Sequence, residues 1–144
     1  MIKTVLEHIE NEVFNDVTRE AYWCICNVIE SLDMERRIEL TKNYNMAYRL
    51  ANMLKECYGH PNLIKICLIA STKILQTSPY FPNDDESDPR YSFEIEGGVD
   101  ICEKLQTHSN TQIYSVAKQL LETHYPDGEE IPPQTNLEED AKIS

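Results

Sequence analysis

Three side chains with complementary binding chemistry lie close together between Arg19 and Asn27. Glu20, Trp23 and Asn27 are spaced three and four residues apart, so on a helix they project from one face. The acid would bind a Lys or Arg head group, and the indole of the only tryptophan would bind its aliphatic stem and cation. The amide would hydrogen-bond a peptide backbone, because Asn offers a donor and an acceptor. The pattern suggests a face that binds an extended basic peptide.

The same tryptophan also has a purely structural interpretation. An aromatic residue on an amphipathic helix belongs to the core more often than to a binding site. The spacing leaves both interpretations open, and they differ in whether the Trp23 indole is exposed or buried.

The acidic composition narrows the range of partners. The 144 residues are 41% apolar, enough for the core of one domain, and they carry a formal net charge of -12. This balance argues against nucleic acid and anionic membranes, which need a basic footprint. No apolar run reaches the roughly 18 residues of a membrane span, and the first ten residues contain acids where a secretory signal would be apolar. A basic partner fits the charge, although a negative surface also favours solubility.

The reactive residue types do not form a catalytic pattern, and we expect no enzyme activity, cofactor or metal. The four histidines are scattered, there is no glycine-rich phosphate loop, and the acidic run 84–88 lacks the glycine and terminal Glu of a calcium loop. We expect the five cysteines to be reduced, buried thiols of a cytosolic or nuclear protein, and Cys24 and Cys26 point apart on a helix. The histidines are His8, His60, His108 and His124, and the other cysteines are Cys57, Cys67 and Cys102.

Hydrophobic spacing predicts an all-α chain without strands. We expect Asn15 or Asp16 to cap the second helix, Asp33 to cap the third, and the Ser109–Thr111 segment to cap the last. The predicted helices are Ile2–Val13, from Asp16 to about Leu32, Met34–Lys42, Met46–Tyr58, Leu63–Gln76, Val99–Thr107 and Gln112–Tyr125.

Two stretches interrupt this pattern. Residues 78–91 hold three prolines and an acidic run, which predicts a solvated, mobile loop, with order resuming at Phe93 and stopping at Gly97-Gly98. From Pro126 the chain is polar and acidic, and we expect 126–144 to be a disordered tail.

The helices recur as units. Asn27, Lys73 and Gln119 fall at equal steps of 46 when the long helices are aligned, and the acidic loop lengthens the second step, so the underlying unit is about 42 residues. Helix triplets of this length indicate an armadillo-type solenoid. We therefore divide the chain into an armadillo-repeat domain, 1–125, and the tail. Within the domain we place a partial repeat at 1–32, a repeat at 33–78, the acidic loop at 79–91 and the last repeat at 92–125.

Two motifs resemble a known family. The stretch Glu20-Ala21-Tyr22-Trp23-Cys24-Ile25-Cys26-Asn27 is similar to the third-helix motif of importin-α repeats. The segment 95–110, beginning Ile95-Glu96-Gly97-Gly98-Val99-Asp100, resembles the opening of that family's last repeat, and Ile113-Tyr114 and Leu120-Leu121-Glu122 continue the match. The resemblance covers roughly residues 1 to 130 and places the chain from the middle of the eighth repeat through the tenth.

The resemblance implies a right-handed superhelical solenoid and a nuclear-import adaptor that works in cytoplasm and nucleus. Glu20, Trp23 and Asn27 match the edge of the family's minor site for basic nuclear-localisation peptides. The export receptor that recycles importin-α grips its last repeats, which implies contacts at Tyr114 and at the acidic residues Asp127, Glu129 and Glu130. Importin-β would bind only through a basic N-terminal segment that this sequence lacks.

Departures from the family pattern weaken the expected binding. Ile69 stands where the ninth repeat would have Trp, and Lys73 stands where it usually has Asn, so a cation would repel a basic peptide. The earlier repeats that form the major site are absent. One cation–π contact contributes about 0.5–1 kcal/mol and a rim salt bridge about 0–1 kcal/mol, which predicts an affinity on the order of millimolar.

A short helix would precede Ile2 in a complete repeat, so we expect apolar surface at this end. Either the chain is a fragment, or a partner covers this end, or the chain self-associates there, and we favour a fragment of a longer importin-α-like chain. The alternative function is a generic armadillo scaffold with no import role. An indole exposed beside Glu20 and Asn27 would favour the adaptor, whereas the scaffold allows a buried indole.

Overall fold

The computed structural model describes residues 15–82 and 87–126, and within them the chain is helical without a β-strand. This confirms the all-α prediction for the described segments. The helices are α1 (Asp16–Ser31), α2 (Met34–Tyr44), α3 (Met46–Glu56), α4 (Pro61–Leu75), α5 (Pro89–Ile95), α6 (Gly98–Leu105) and α7 (Thr111–His124), with a single 3-10 turn at Ser78–Tyr80. None of these helices is long and apolar enough to cross a membrane.

Side chains that the sequence marks as caps start several helices. The Asn15 carboxamide accepts from the backbone N–H of Thr18 at 3.0 Å, and the Asp33 carboxylate accepts from that of Arg36 at 2.9 Å. Asn110 caps α7 in the same way, and Pro61 occupies the first turn of α4, where its missing N–H costs little. These capping predictions are confirmed. The starts of α1, α2 and α3 coincide with the predicted ones, and the other ends of the predicted helices in the described segments differ by one or two residues.

The segment 78–91 is more ordered than its composition suggests. We expected a solvated loop with order resuming at Phe93, but α5 begins at Pro89 and Asp88 is 7% exposed. The Asp88 carboxylate accepts from the Ser78 hydroxyl at 2.8 Å and from the Arg90 backbone N–H at 2.9 Å. Burial alone would raise the pKa of Asp88, but the hydrogen bonds from Arg90 and Ser78 outweigh it and hold that pKa below its usual range. The prediction of a solvated loop is wrong at the C-terminal end of this segment, whereas Pro79, Tyr80 and Pro82 at the other end are exposed. Residues 83–86 lie outside the described residues.

The two adjacent glycines have different roles. Gly97 adopts a φ of 94° and ends α5 as a left-handed cap, as the sequence predicts. Gly98 instead begins α6, and a Cβ there would lie 2.5 Å from the Phe93 ring. Only glycine lets α6 approach Phe93 this closely.

The long helices α1, α4 and α7 lie side by side and run in the same direction. Arg19 contacts His60 and Cys26 contacts Cys67, so contacting residues of α1 and α4 are 41 positions apart at two places. Lys65 contacts Gln112, 47 positions away. Near the other end of the pair, Leu75 and Gln76 line one cavity with Thr123 and His124. We call these three helices the α1–α4–α7 row.

The shorter helices cover one side of this row. Helix α3 packs on α4, α5 and α6, while α2 packs on α3 and α4, and α6 packs on α7. The Tyr22 hydroxyl donates to Glu56 and joins α1 to α3. Lys55 of α3 pairs with Glu96 at 3.1 Å. One side of each long helix is therefore buried, and the other side is partly or fully exposed.

Several predictions fall on residues outside the described segments. They are the helix Ile2–Val13, the disordered tail beyond Pro126, and the acidic contacts Asp127, Glu129 and Glu130. These remain predictions, as does the division into repeats.

Candidate peptide-binding face

Helix α1 presents two contrasting sides. It packs on α4, and the Tyr22 hydroxyl reaches Glu56 of α3. The buried residues of α1 are Thr18, Tyr22, Ile25, Cys26 and Ile29. Because a helix repeats every 3.6 residues, the predicted site residues fall on another side of it. Packing of α1 therefore holds its exposed side in a fixed position relative to α4.

Glu20, Trp23 and Asn27 occupy that accessible side together. Glu20 and Asn27 are exposed, and within the described residues their side chains make no hydrogen bond or ion pair. Trp23 is partly buried and packs against the edge of the hydrophobic core. The indole thus has one part in the fold and another part open to solvent. A carboxylate, an amide and an aromatic surface are available here for a ligand.

Cys24 lies in the same exposed stripe, which corrects our expectation that all five cysteines are buried. The other four are buried, and three of them cluster: the Cys67 Sγ atom lies 3.6 Å from that of Cys26 and 3.8 Å from that of Cys57. A hydrogen bond to Cys67, together with burial, raises the pKa of the Cys57 thiol. Burial raises the pKa of Cys102 to about 12. All five cysteines are free of disulfides, and Cys24 is the one on the candidate face.

Helix α4 contributes the neighbouring part of the row. Its partly exposed residues recur at helical spacing, and they are Lys65, Ile66, Ile69, Thr72 and Lys73. The helix carries these two lysines and no acid. Ile69 and Lys73 were expected at the site, whereas Lys65 was missed, although its spacing of four from Ile69 and eight from Lys73 places it in the same stripe.

The contacts between α1 and α4 also change which residue of α4 is expected to lie beside Asn27. Aligning the helices by 46 residues places Lys73 beside Asn27. The contacts at a separation of 41 instead place the buried Leu68 level with Asn27. Lys73 then lies five residues further along α4, about 7.5 Å at 1.5 Å per residue. A ligand at Asn27 would meet Ile69 before it reached Lys73.

The predicted export-receptor contact Tyr114 lies on α7, away from the Glu20–Trp23–Asn27 stripe. It is 37% exposed, and the Lys118 ammonium lies 5.9 Å from the centre of its ring. The structure therefore does not bring Tyr114 together with the α1 residues. Within 15–82 and 87–126, no group of three His, Cys, Asp or Glu residues is placed to hold a metal ion.

Comparison with known proteins gives one match. Residues 91–140 match the family model described as an atypical Arm repeat. A search of curated proteins and a search of solved structures returned no match. The match and the all-helical structure support an armadillo-repeat family and a generic protein–protein interaction scaffold, without singling out importin-α.

Proposed function

We propose that this chain is the C-terminal part of a nuclear-import adaptor similar to importin-α, and that it binds basic localisation peptides across α1. The observation that carries the proposal is the exposure of Glu20 and Asn27 beside a partly exposed Trp23. The Glu20 and Asn27 side chains make no hydrogen bond or ion pair with other described residues, so their polar groups are available to a ligand.

Each side chain has a distinct role in this proposal. Glu20 pairs with a Lys or Arg of the peptide, Trp23 packs on its aliphatic stem, and Asn27 hydrogen-bonds the peptide backbone. The exposed pair contributes about 0–1 kcal/mol and the cation–π contact about 0.5–1 kcal/mol. Affinity on the order of millimolar follows for this chain alone, since a single tryptophan covers only one side of the stem.

The proposal includes the other properties that the resemblance implies. The armadillo-type helices form a right-handed solenoid, and the protein works by binding in cytoplasm and nucleus rather than by catalysis. Its last repeat contacts the export receptor through Tyr114 and through Asp127, Glu129 and Glu130. The match to an atypical Arm repeat supports the assignment of this end to a repeat.

A second candidate function is a generic armadillo scaffold with no import role. The lysines of α4 favour it, because they line the neighbouring stripe without any acid on that helix. A purely basic peptide that continued from α1 onto α4 would meet like charge there.

Titration with a short Lys- and Arg-rich peptide tests the adaptor, with the fluorescence of the single tryptophan as the signal. We expect a saturable change that weakens as salt rises, and that is reduced in Glu20→Gln and in Asn27→Ala. Glu39→Gln is the matched control, because Glu39 is an exposed acid on α2. Equal affinity in all four proteins would contradict the proposal.

A further inference from the structure

We propose that the peptide bound by this face carries charges of both signs, with a basic residue at Glu20 and Trp23 and an acidic residue at Lys73. This inference rests on the proposed function, because it specifies the ligand of the same face.

The charges on α4 are the first argument. The helix carries Lys65 and Lys73 and no acid, and both lysines are partly buried. The Lys65 ammonium donates to the Gln112 side chain at 2.6 Å, so part of its hydrogen-bonding capacity is used within the row. The Lys73 side chain has no hydrogen bond or ion pair with the described residues. Lys73 is therefore the cation that a carboxylate of the ligand would meet.

Distances across the row give the spacing of the two charges. Helices that pack side by side have axes about 8–10 Å apart. Lys73 lies a further 7.5 Å or so along the axis from the level of Asn27, because contacting residues differ by 41. Trp23 and Glu20 lie further back on α1, so their axial distances from Lys73 are about 13.5 Å and about 18 Å. An extended peptide advances about 3.3 Å per residue, so about five to six residues separate the basic side chain from the acidic one.

The surface between the charges specifies the middle of the peptide. Ile66 and Ile69 are partly exposed on α4, between the level of Trp23 and that of Lys73. With Trp23 they form an apolar strip bordered by Lys65, whose ammonium donates to Gln112. A peptide with an apolar residue between its basic and acidic residues would cover this strip, and its burial adds affinity in proportion to the area covered.

The same arrangement predicts that the face selects peptides by their charge pattern. An all-basic peptide of this length gains affinity at Glu20 and loses affinity at Lys73, since like charges across an interface are unfavourable. The chain also carries six acids after Pro126, which attract any basic peptide without regard to the order of its residues. The test must therefore compare peptides of equal length that differ in charge pattern.

The experiment titrates the full chain with three labelled peptides of equal length and follows their fluorescence anisotropy. One peptide has a basic end and an acidic end around an apolar residue, the second is basic at both ends, and the third is acidic at both ends. We expect the mixed peptide to bind about threefold to fivefold more tightly than the all-basic one, as one partly exposed ion pair allows. Lys73→Glu should reverse this order. Lys42→Glu, which changes an exposed lysine on α2, should leave it unchanged.

Three results would overturn the inference. If the all-basic peptide binds as well as the mixed one, and Lys73→Glu does not alter the ratio, α4 has no part in recognition, while the proposed basic-peptide function stands. If the acidic peptide binds as tightly as the mixed one, Glu20 contributes nothing. If no peptide binds to a folded chain, the proposed function fails together with the inference.

Discussion

Helices α1 and α4 are alike where they pack and different where they are accessible. Their buried sides meet at Cys26 and Cys67, both fully buried, and the helices run parallel. On the accessible sides, α1 presents Glu20 and Asn27, whereas α4 presents lysines. The packed sides determine how the helices are placed, and the accessible sides determine the charge that a ligand meets. A shared fold therefore does not fix the ligand, which has to be derived from each helix separately.

The largest expected difference between the two sides is in thiol reactivity. Cys24 and Cys26 are two residues apart on α1, but Cys24 is exposed and Cys26 is buried. A thiol reagent should modify Cys24 promptly and the buried thiols at least about a thousandfold more slowly, since access to them needs an opening of about 4 kcal/mol or more. Absorbance assays of the native chain should show one fast equivalent, and all five thiols should react in denaturant.

Cys24→Ser is the control for this prediction and should abolish the fast phase. Two or more fast equivalents in the native chain, or a fast phase that persists in the variant, would show that the assignment of the two sides of α1 is wrong.

Two side-chain truncations on α4 test the difference between its buried and accessible sides through the free energy of unfolding. Leu68 is fully buried and Ile69 is partly exposed. Leu68→Ala should lower the free energy of unfolding by about 2–5 kcal/mol, because it removes buried methyl groups and leaves a cavity. Ile69→Ala should cost less than about 1.5 kcal/mol, because part of its side chain is already in water. Urea unfolding followed by circular dichroism measures both, and equal losses would contradict the burial of α4.

A smaller effect of pH tests the far end of the row. Burial, and then the charge of Arg90, lower the pKa of His124 on α7, whose Nε2 atom is buried without a hydrogen-bond partner among the described residues. The unfolded chain then binds more protons than the folded one below about pH 6.5. Stability should fall as pH drops below that value and level off once pH passes the pKa of the folded state.

Thermal unfolding between about pH 7.5 and about pH 5.5 measures this effect as the difference between the wild type and His124→Gln. The stability of the variant should fall less over this range. Parallel pH profiles would show that His124 is not the titrating group.

Local signals predicted the helices well, and packing explains what they missed. Asn15, Asp33 and Asn110 were readable as caps because a cap depends only on residues a few positions away. Asp88 is also a cap, but its acidic, proline-rich surroundings resemble a loop, and its burial depends on Ser78 and Arg90.

The offset between α1 and α4 could also not be predicted from local sequence patterns. Composition and spacing identified the Glu20–Trp23–Asn27 stripe, and the partial burial of Trp23 lies between the two interpretations that the sequence left open. Alignment of similar residues suggested a step of 46, whereas contacts across the helices give 41. A repeat length does not state how far neighbouring helices are offset, so the position of Lys73 relative to Asn27 could not be predicted from it.

Backbone amide NMR of the labelled chain, titrated with the mixed-charge peptide, tests the central claim most directly. The single indole N–H of Trp23 gives an isolated signal, and the affected amides map the bound peptide. We predict that the indole and the amides around Glu20, Asn27 and Lys73 shift together along one binding curve. Shifts confined to residues 127–144 would show that the peptide meets only the acidic segment, and would contradict a binding face on α1 and α4.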